Sequence, residues 1–327
     1  MLANAVRINE SFPARSTLYQ QVTPKHCTKL DDALHEIDKR RQSIRSSAER
    51  VRRKGGIYRD QDHPLEILTL SAVTPTAPPL LLIGGMGPLA GLVGFETACR
   101  RFYRNRSILL LQACDIPCRT TAISKSCAAS PNRIDTEVIN AISQALSQGV
   151  MMVEAVECEV ILLCNTAHYF LPAAMRCFHN TPAAKQRHLT THSLISAAAD
   201  EALKLGYQRV LVLATKGTCI AELYTEALRQ RGIRPITPTQ RAQTWLDTAI
   251  HDGIKAHNSE LARHAWQACL HALEINAEDI DGVIAGCTEV PLLLELTTSH
   301  TTNEPATDLL GKTGIIDPLD CLLKQLS

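Results

Sequence analysis

A chain of 327 residues with 45% hydrophobic side chains can bury two domain-sized cores, which excludes wholesale disorder. Its net charge of +1 gives no reason to expect nucleic acid as the main partner. The twelve cysteines are scattered, without the framework of a small secreted domain, which favours free thiols in a reducing, cytoplasmic setting. No apolar run reaches the eighteen or so residues a membrane span needs. The N-terminus lacks the continuous apolar core of a secretory signal, so the chain is expected to be soluble, with export of the N-terminal region left open.

Charge is uneven along the chain. Residues 1–60 hold 13 Lys+Arg against 7 Asp+Glu, and the excess gathers at Arg40, Arg41, Arg45, Arg50, Arg52, Arg53 and Lys54. Leu30, Leu34, Ile37, Ile44 and Val51 recur at near-helical spacing, which predicts an amphipathic helix from about Asp31 to Arg53, ended by Gly55-Gly56. A basic helix of this kind could engage an acidic surface or an unknown partner. The plainer reading is a solvated appendage on the main body, in which case removing residues 1–75 should leave activity intact.

VTPTAPP (Val73 to Pro79) is an extended joint, and the main body starts after it. Leu80 to Ile83 reads as a buried strand, followed by the glycine-rich turn Gly84-Gly85-Met86-Gly87-Pro88. Glycines at a strand end let a ligand approach the backbone, and Pro88 suits the first turn of a helix. The turn is not a Walker loop and lacks GxGxxG spacing, so nucleotide binding is unsupported. Ser107 to Leu111 is a second strand, and a helix is expected from about Ile134 to Glu157. Cys114 and Cys118 flank Asp-Ile-Pro, a poor zinc spacing.

Val160 to Phe170 (VILLCNTAHYF) is an apolar strand that breaks at Cys164-Asn-Thr and turns into a helix. A thiol at that hinge sits where a helix N-terminus can stabilise a thiolate, although a lone cysteine is as readily a buried structural one. The second half repeats the scheme. Arg209 to Ala214 is a strand followed by Thr215-Lys-Gly-Thr218 and a helix to about Arg231, and helices follow near Thr239–Ile250 and Asn258–Leu273. Gly282 to Ala285 is a strand that ends in Gly286-Cys287-Thr288-Glu289. Two similar α/β halves imply an internal duplication, with both cysteines at the carboxyl ends of parallel strands, the edge where open α/β sheets bind ligands. Two facing halves would put a thiol on each wall of a cleft. One thiolate could then take a proton from a carbon while the opposite thiol delivers one to the other face, with hydroxyls and backbone N–H groups near Asn165, Thr166 and Thr288 stabilising the enolate-like intermediate.

GGMGP (Gly84–Pro88), CNTAH (Cys164–His168), GCTEVP (Gly286–Pro291) and IDP (Ile316–Pro318), in this order, resemble the aspartate/glutamate racemase superfamily, most closely its aspartate racemase branch. The resemblance implies an α/β fold of two pseudo-symmetric Rossmann-like parallel-sheet domains with the active site in the cleft between them, and commonly a homodimer. The basic N-terminal extension (1–78) has no counterpart in the compact members; domain 1 would span 79–190, completed by 295–327, and domain 2 would span 191–294. It also implies interconversion of L- and D-aspartate, or glutamate, without a cofactor or metal, by Cys164 and Cys287. Substrate contacts carried over are Met86, Arg119, Asn165, Thr166, Lys216 and Thr288, with Arg119 and Lys216 selecting an acidic side chain.

Three positions depart from the family pattern: Cys118 stands where an acidic residue is usual, Leu163 where a proline is usual, and Ser130-Pro-Asn-Arg133 replaces a Gly-Pro-rich turn. His168 is expected to pack beside the site, Glu289 to hold a substrate ammonium or cap its helix, and the His257, His264 and His271 stripe to be a half-exposed helix face. Alternatives are a related isomerase or decarboxylase, a broad-specificity amino-acid racemase, or a non-catalytic binding protein on the same fold.

Overall fold

A computed structural model describes residues 22–129, 135–298 and 313–327. Strand β1 (Lys25–Cys27) leads into helix α1 (Leu30–Arg53), which buries Ala33, Ile37, Ile44 and Ala48 and ends at Gly55 in the left-handed region (φ 75). Strand β2 (Glu66–Leu70) follows. The first half then runs β3 (Leu80–Gly84), α2 (Pro88–Phe102), β4 (Ile108–Gln112), α3 (Arg119–Ala129), α4 (Thr136–Met151), β5 (Glu157–Leu162), α5 (Leu171–His179), α6 (Pro182–Gln186) and β6 (His188–His192). Helix α7 (Leu194–Lys204) crosses to the second half: β7 (Arg209–Leu213), α8 (Lys216–Ile220), α9 (Leu223–Arg229), β8 (Arg234–Ile236), α10 (Gln240–Thr248), α11 (Ser259–His271), β9 (Gly282–Ala285), α12 (Val290–Thr298), β10 (Gly314–Ile316) and α13 (Pro318–Gln325).

The duplication inferred from the sequence is present in the sheets. One contains β4-β3-β5-β6 and the other β8-β7-β9-β10, all parallel. Each half therefore places its loop-bearing strand (β3, β7) beside its cysteine strand (β5, β9). The central strands are near-continuous Leu, Ile and Val because helices cover both faces of a parallel sheet. The equivalent helices α7 and α13 pack on each other where the halves meet.

Two expectations need correction. The segment before Leu80 is not an appendage. Strand β2 pairs antiparallel with β4 from Glu66 opposite Gln112 to Leu70 opposite Ile108, so it extends the first sheet, and β1 pairs with β2. Sequence pattern missed β2 because it is only five residues long and follows the acidic, turn-forming stretch Asp60-Gln-Asp-His-Pro64. Helix α1 lays its apolar face on α2, and two of its arginines pair within the chain: Arg40 with Glu36 and Glu66, Arg41 with Glu96. Residues 295–327, expected to complete domain 1, instead contribute their strand to the second sheet. β10 pairs with β9, whose outer edge would otherwise be open, while Leu319 on the following helix reaches Gly94 in the first half.

Other differences are local. The long helix ends at Met151, and the helix after Thr218 breaks at Glu222, which is left-handed (φ 51). Helix α10 continues as a π-helical turn, Ala249–Ile254. His257 precedes α11 with φ 54 and stacks edge-on against Tyr58, so it is not on one helix with His264 and His271. Residues 1–21 and the Ser130–Arg133 loop lie outside the described residues. Among the described residues no helix is long and apolar enough to cross a membrane.

Because Leu68 on β2 is buried in the core shared with α2 and β3, Leu68→Ala should cost about 2–5 kcal/mol of unfolding free energy. Denaturant unfolding followed by circular dichroism and by tryptophan fluorescence should show one common shift. An unchanged midpoint would restore the appendage reading.

Candidate active site

The two cysteine hinges form as strand ends followed by tight turns. Beyond β5, Cys164 is extended (φ −160, ψ 114) and caps the 3-10 turn Asn165–Tyr169, its carbonyl accepting from the Ala167 N–H. Beyond β9, the Cys287 carbonyl accepts from the Val290 N–H at the start of α12. Both cysteines are nearly sealed, at 8% and 7% exposure.

One side chain spans the gap between them. The Tyr224 hydroxyl donates to Asn165 Oδ1 at 2.7 Å, while its ring packs under Gly286, where a Cβ would come within 3.0 Å of it. One tyrosine thus touches both thiol loops, through its hydroxyl on one and its ring on the other. The remaining contacts cross between halves. The Thr166 hydroxyl meets those of Thr215 and Thr218, from the loop after β7, at 3.0 and 2.8 Å. Reciprocally, Glu289 lies against the loop after β3, where a Cβ on Gly87 would fall 1.8 Å from its Oε1. Gly85 is also fixed: it has φ 87, and a Cβ there would strike the Ala113 backbone at 2.5 Å. Each cysteine loop therefore rests on the first loop of the other half.

The surroundings of the two thiols differ. Cys164 faces Arg119, 5% exposed, whose guanidinium donates to the carbonyls of Ile116, Pro117 and Met86, and whose Nε has no protein partner. Burial disfavours that charge, but Cys164, Asp60 and Cys118 together hold its pKa above the ordinary value. A buried guanidinium satisfied only by carbonyls is suited to receive an anion. Cys287 instead donates its thiol proton to Glu289 Oε2 at 2.9 Å. Burial first, and the Glu289 charge second, push this thiol well above the usual range, while Lys255 opposes them. The Thr288 hydroxyl donates to the same oxygen at 3.1 Å.

Of the other expected contacts, Met86 is buried and contributes its carbonyl, and Asn165 and Thr166 are buried at the interface, with the Asn165 Nδ2 unpartnered. Lys216 is different. Its side chain is exposed and lines a separate cavity of about 410 Å³ with Cys219, Glu222 and Arg229, while its backbone N–H donates to Asp247. The cation at the site besides Arg119 is Lys255, which the sequence reading missed; nothing in its local pattern marks it. Tyr224, Asp60, Thr215 and Thr218 were missed as well. His168 uses both ring nitrogens structurally: Nδ1 donates to the Cys164 carbonyl at 3.0 Å and Nε2 accepts from the Leu194 N–H at 3.3 Å. Burial lowers its pKa, so it stays a neutral brace. Among the described residues no group of three His, Cys, Asp or Glu side chains could hold a metal ion, and every described cysteine is a free thiol.

Residues 83–326 match the model of the Asp/Glu/hydantoin racemase family. Among solved structures, an aspartate racemase from Picrophilus torridus aligns with 76% of this chain and 93% of its own at 20% identity and a TM-score of 0.53. A candidate Asp/Glu racemase from Yersinia pestis aligns with 76% and 97% at 18% identity and a TM-score of 0.52. These likenesses show the shared fold.

Gly87→Ala should displace the Glu289 carboxylate, and with it the oxygen that holds the Cys287 thiol. Enzymatic turnover should then fall by about tenfold or more, with circular dichroism unchanged. Wild-type turnover in a folded Gly87→Ala protein would show that Glu289 has no part in the chemistry.

Proposed function

The chain belongs to the Asp/Glu/hydantoin racemase family, and on that premise we propose that it racemises a small acidic amino acid, aspartate first and glutamate second, with Cys164 and Cys287 as paired acid/base thiols. The observation that carries this reading is the pair of strand-end cysteines from duplicated halves, their loops both touched by Tyr224, one thiol against a guanidinium and the other on a carboxylate.

In one direction the thiolate of one cysteine takes the α-proton, and the electron pair moves into the α-carboxylate as an enolate-like species. The opposite thiol then protonates the other face, so no electron is gained or lost. Cys287, with its thiol held protonated by burial and Glu289, is suited to be the donor at rest. When Cys287 must act as the base, Glu289 Oε2 is placed to receive its proton. The unpartnered Asn165 amide and the hydroxyls of Thr166 and Thr288 are suited to the α-carboxylate, and Arg119 to the side-chain carboxylate. Lys216 would join only by turning inward from its exposed position. The proton that carbon loses goes to one thiolate and is replaced from the opposite thiol, with Glu289 only relaying the Cys287 proton, so the mechanism calls on no cofactor. A decarboxylase or single-base isomerase would not need both thiols, and so the pair favours racemisation.

Purified protein in D2O with L- or D-aspartate should give racemate deuterated at the α-carbon, without pyridoxal phosphate and in the presence of EDTA. Cys164→Ala and Cys287→Ala should each abolish inversion while retaining α-proton exchange with one enantiomer, a different one for each variant. Substantial racemisation by either single variant would sink the two-thiol assignment, and no exchange with aspartate or glutamate in the wild type would sink the substrate.

A further inference from the structure

The segment before the family match reaches the site through one ion pair. Lys255 follows the π-helical turn Ala249–Ile254, and its backbone N–H bonds to the Ile250 carbonyl five residues back. Such turns shift the register of a helix and are frequent at functional sites. Here the shift is accompanied by an ammonium whose side chain is only 10% exposed.

Three acceptors surround Lys255 Nζ, one from each of three distant segments. Asp60 Oδ2, on the turn between α1 and β2, is at 3.0 Å, the Met86 carbonyl accepts a short hydrogen bond, and Glu289 Oε1 is at 3.8 Å. Asp60 and the Met86 carbonyl take two of its protons, while Glu289 Oε1 is an ion-pair partner beyond hydrogen-bond range, so one N–H of Lys255 stays free at the site. Glu289 Oε1 has no hydrogen-bond partner of its own, and Lys255 is the cation beside it; Oε2 holds the Cys287 thiol. The chain of contacts runs from Asp60 to Lys255, Glu289 and Cys287.

We propose that Lys255, held by Asp60 of the N-terminal segment, is a positioning residue for the Glu289–Cys287 pair, which makes that segment a working part of the active site. The proposal rests on the two-thiol reading above. Without Lys255, Glu289 would face Cys287 as an uncompensated buried anion, and the thiolate would be the harder to form. Asp60 tempers the cation, so that the thiol keeps its proton at rest.

The signs follow from the charges present. Cys287 faces Glu289, Lys255 and the Tyr224 phenol. Lys255 faces Asp60, Glu289, Arg119, Cys164 and His251, and His251 in turn feels Lys255, Glu289, Asp60 and Arg119. Burial holds His251 below the ordinary histidine value, so it is neutral where Cys287 titrates. Asp60→Asn leaves the Lys255 charge less cancelled and free to close on Glu289; both effects favour the Cys287 thiolate. Lys255→Met removes the favourable charge and disfavours it. The two variants should therefore move Cys287 in opposite directions, whereas mere loosening would move it the same way in both.

The full-length protein, with 13Cβ-labelled cysteine, would be titrated by NMR upward from about pH 7, past the range of a free thiol and as far as circular dichroism shows the fold intact, because burial and Glu289 raise Cys287. The Cys287 resonance is identified by its loss in Cys287→Ser. The midpoint should fall by about half a pH unit or more in Asp60→Asn and rise as much in Lys255→Met, with Lys255→Arg near wild type. An unmoved midpoint in Asp60→Asn, or shifts of one sign in both variants, overturns the proposal. If Lys255→Met does not fold, the fall in Asp60→Asn together with wild-type behaviour in Lys255→Arg still decides it. The titration needs no substrate, so it can fail while the wild type racemises, and it can succeed if the substrate assignment is wrong.

Discussion

An ammonium taken out of water costs several kcal/mol unless its protons are met, and Lys255 is met by three pieces of chain that are far apart in sequence. The carbonyl of Met86 fixes the loop after β3, Glu289 fixes the loop after β9, and Asp60 fixes the turn ahead of β2. Met86 also receives Arg119, so one carbonyl holds both buried cations of the site. These buried charges tie the loops of the two halves to one another. A guanidinium and an ammonium this close are tolerable only because Asp60 and Glu289 lie beside them.

Duplication explains why loops from different halves meet here. In both sheets the strand carrying the first loop neighbours the strand carrying the cysteine, with the same parallel order. When two such sheets face each other about an approximate two-fold axis, the cysteine loop of each half meets the first loop of the other. That geometry gives the Thr166–Thr215–Thr218 hydroxyl cluster on one side and the Gly87–Glu289 contact on the other. The small residues of both first loops have the same reason: at Gly217 a Cβ would fall 2.7 Å from the Thr120 hydroxyl, as at Gly87 it would strike Glu289.

The parts of this structure legible in the sequence are those governed by local pattern. Apolar runs gave β3, β4, β5, β7 and β9 within a residue or a few, and the heptad-like spacing of Leu30, Ile37, Ile44 and Val51 gave α1. The repeated strand–cysteine–helix pattern pointed to both thiols, and the family motifs to Arg119. What pattern could not supply is pairing between distant segments. β2 is five residues whose meaning comes from β4; Asp60 and Lys255 are ordinary surface-type residues until the fold brings them together. Lys216 misled for the complementary reason: its motif placed the backbone correctly beside Thr166, but a flexible side chain at a helix start can point outward, and here it does.

The site is symmetric in backbone and asymmetric in charge, and the proposed reaction limits what that asymmetry can do. L- and D-enantiomers of an amino acid have equal free energy, so kcat/KM must be the same in both directions whatever surrounds each thiol. A cation beside Cys164 and a carboxylate on Cys287 therefore cannot make the protein prefer to produce one enantiomer. They can only set where the proton rests between turnovers and which transfer is slower. With Cys287 holding its proton against Glu289, the resting protein is poised to protonate, and the harder task is removing that proton again for the reverse direction. The proposed tuning of that step is where a segment outside the duplicated body reaches the chemistry, through Asp60 on Lys255.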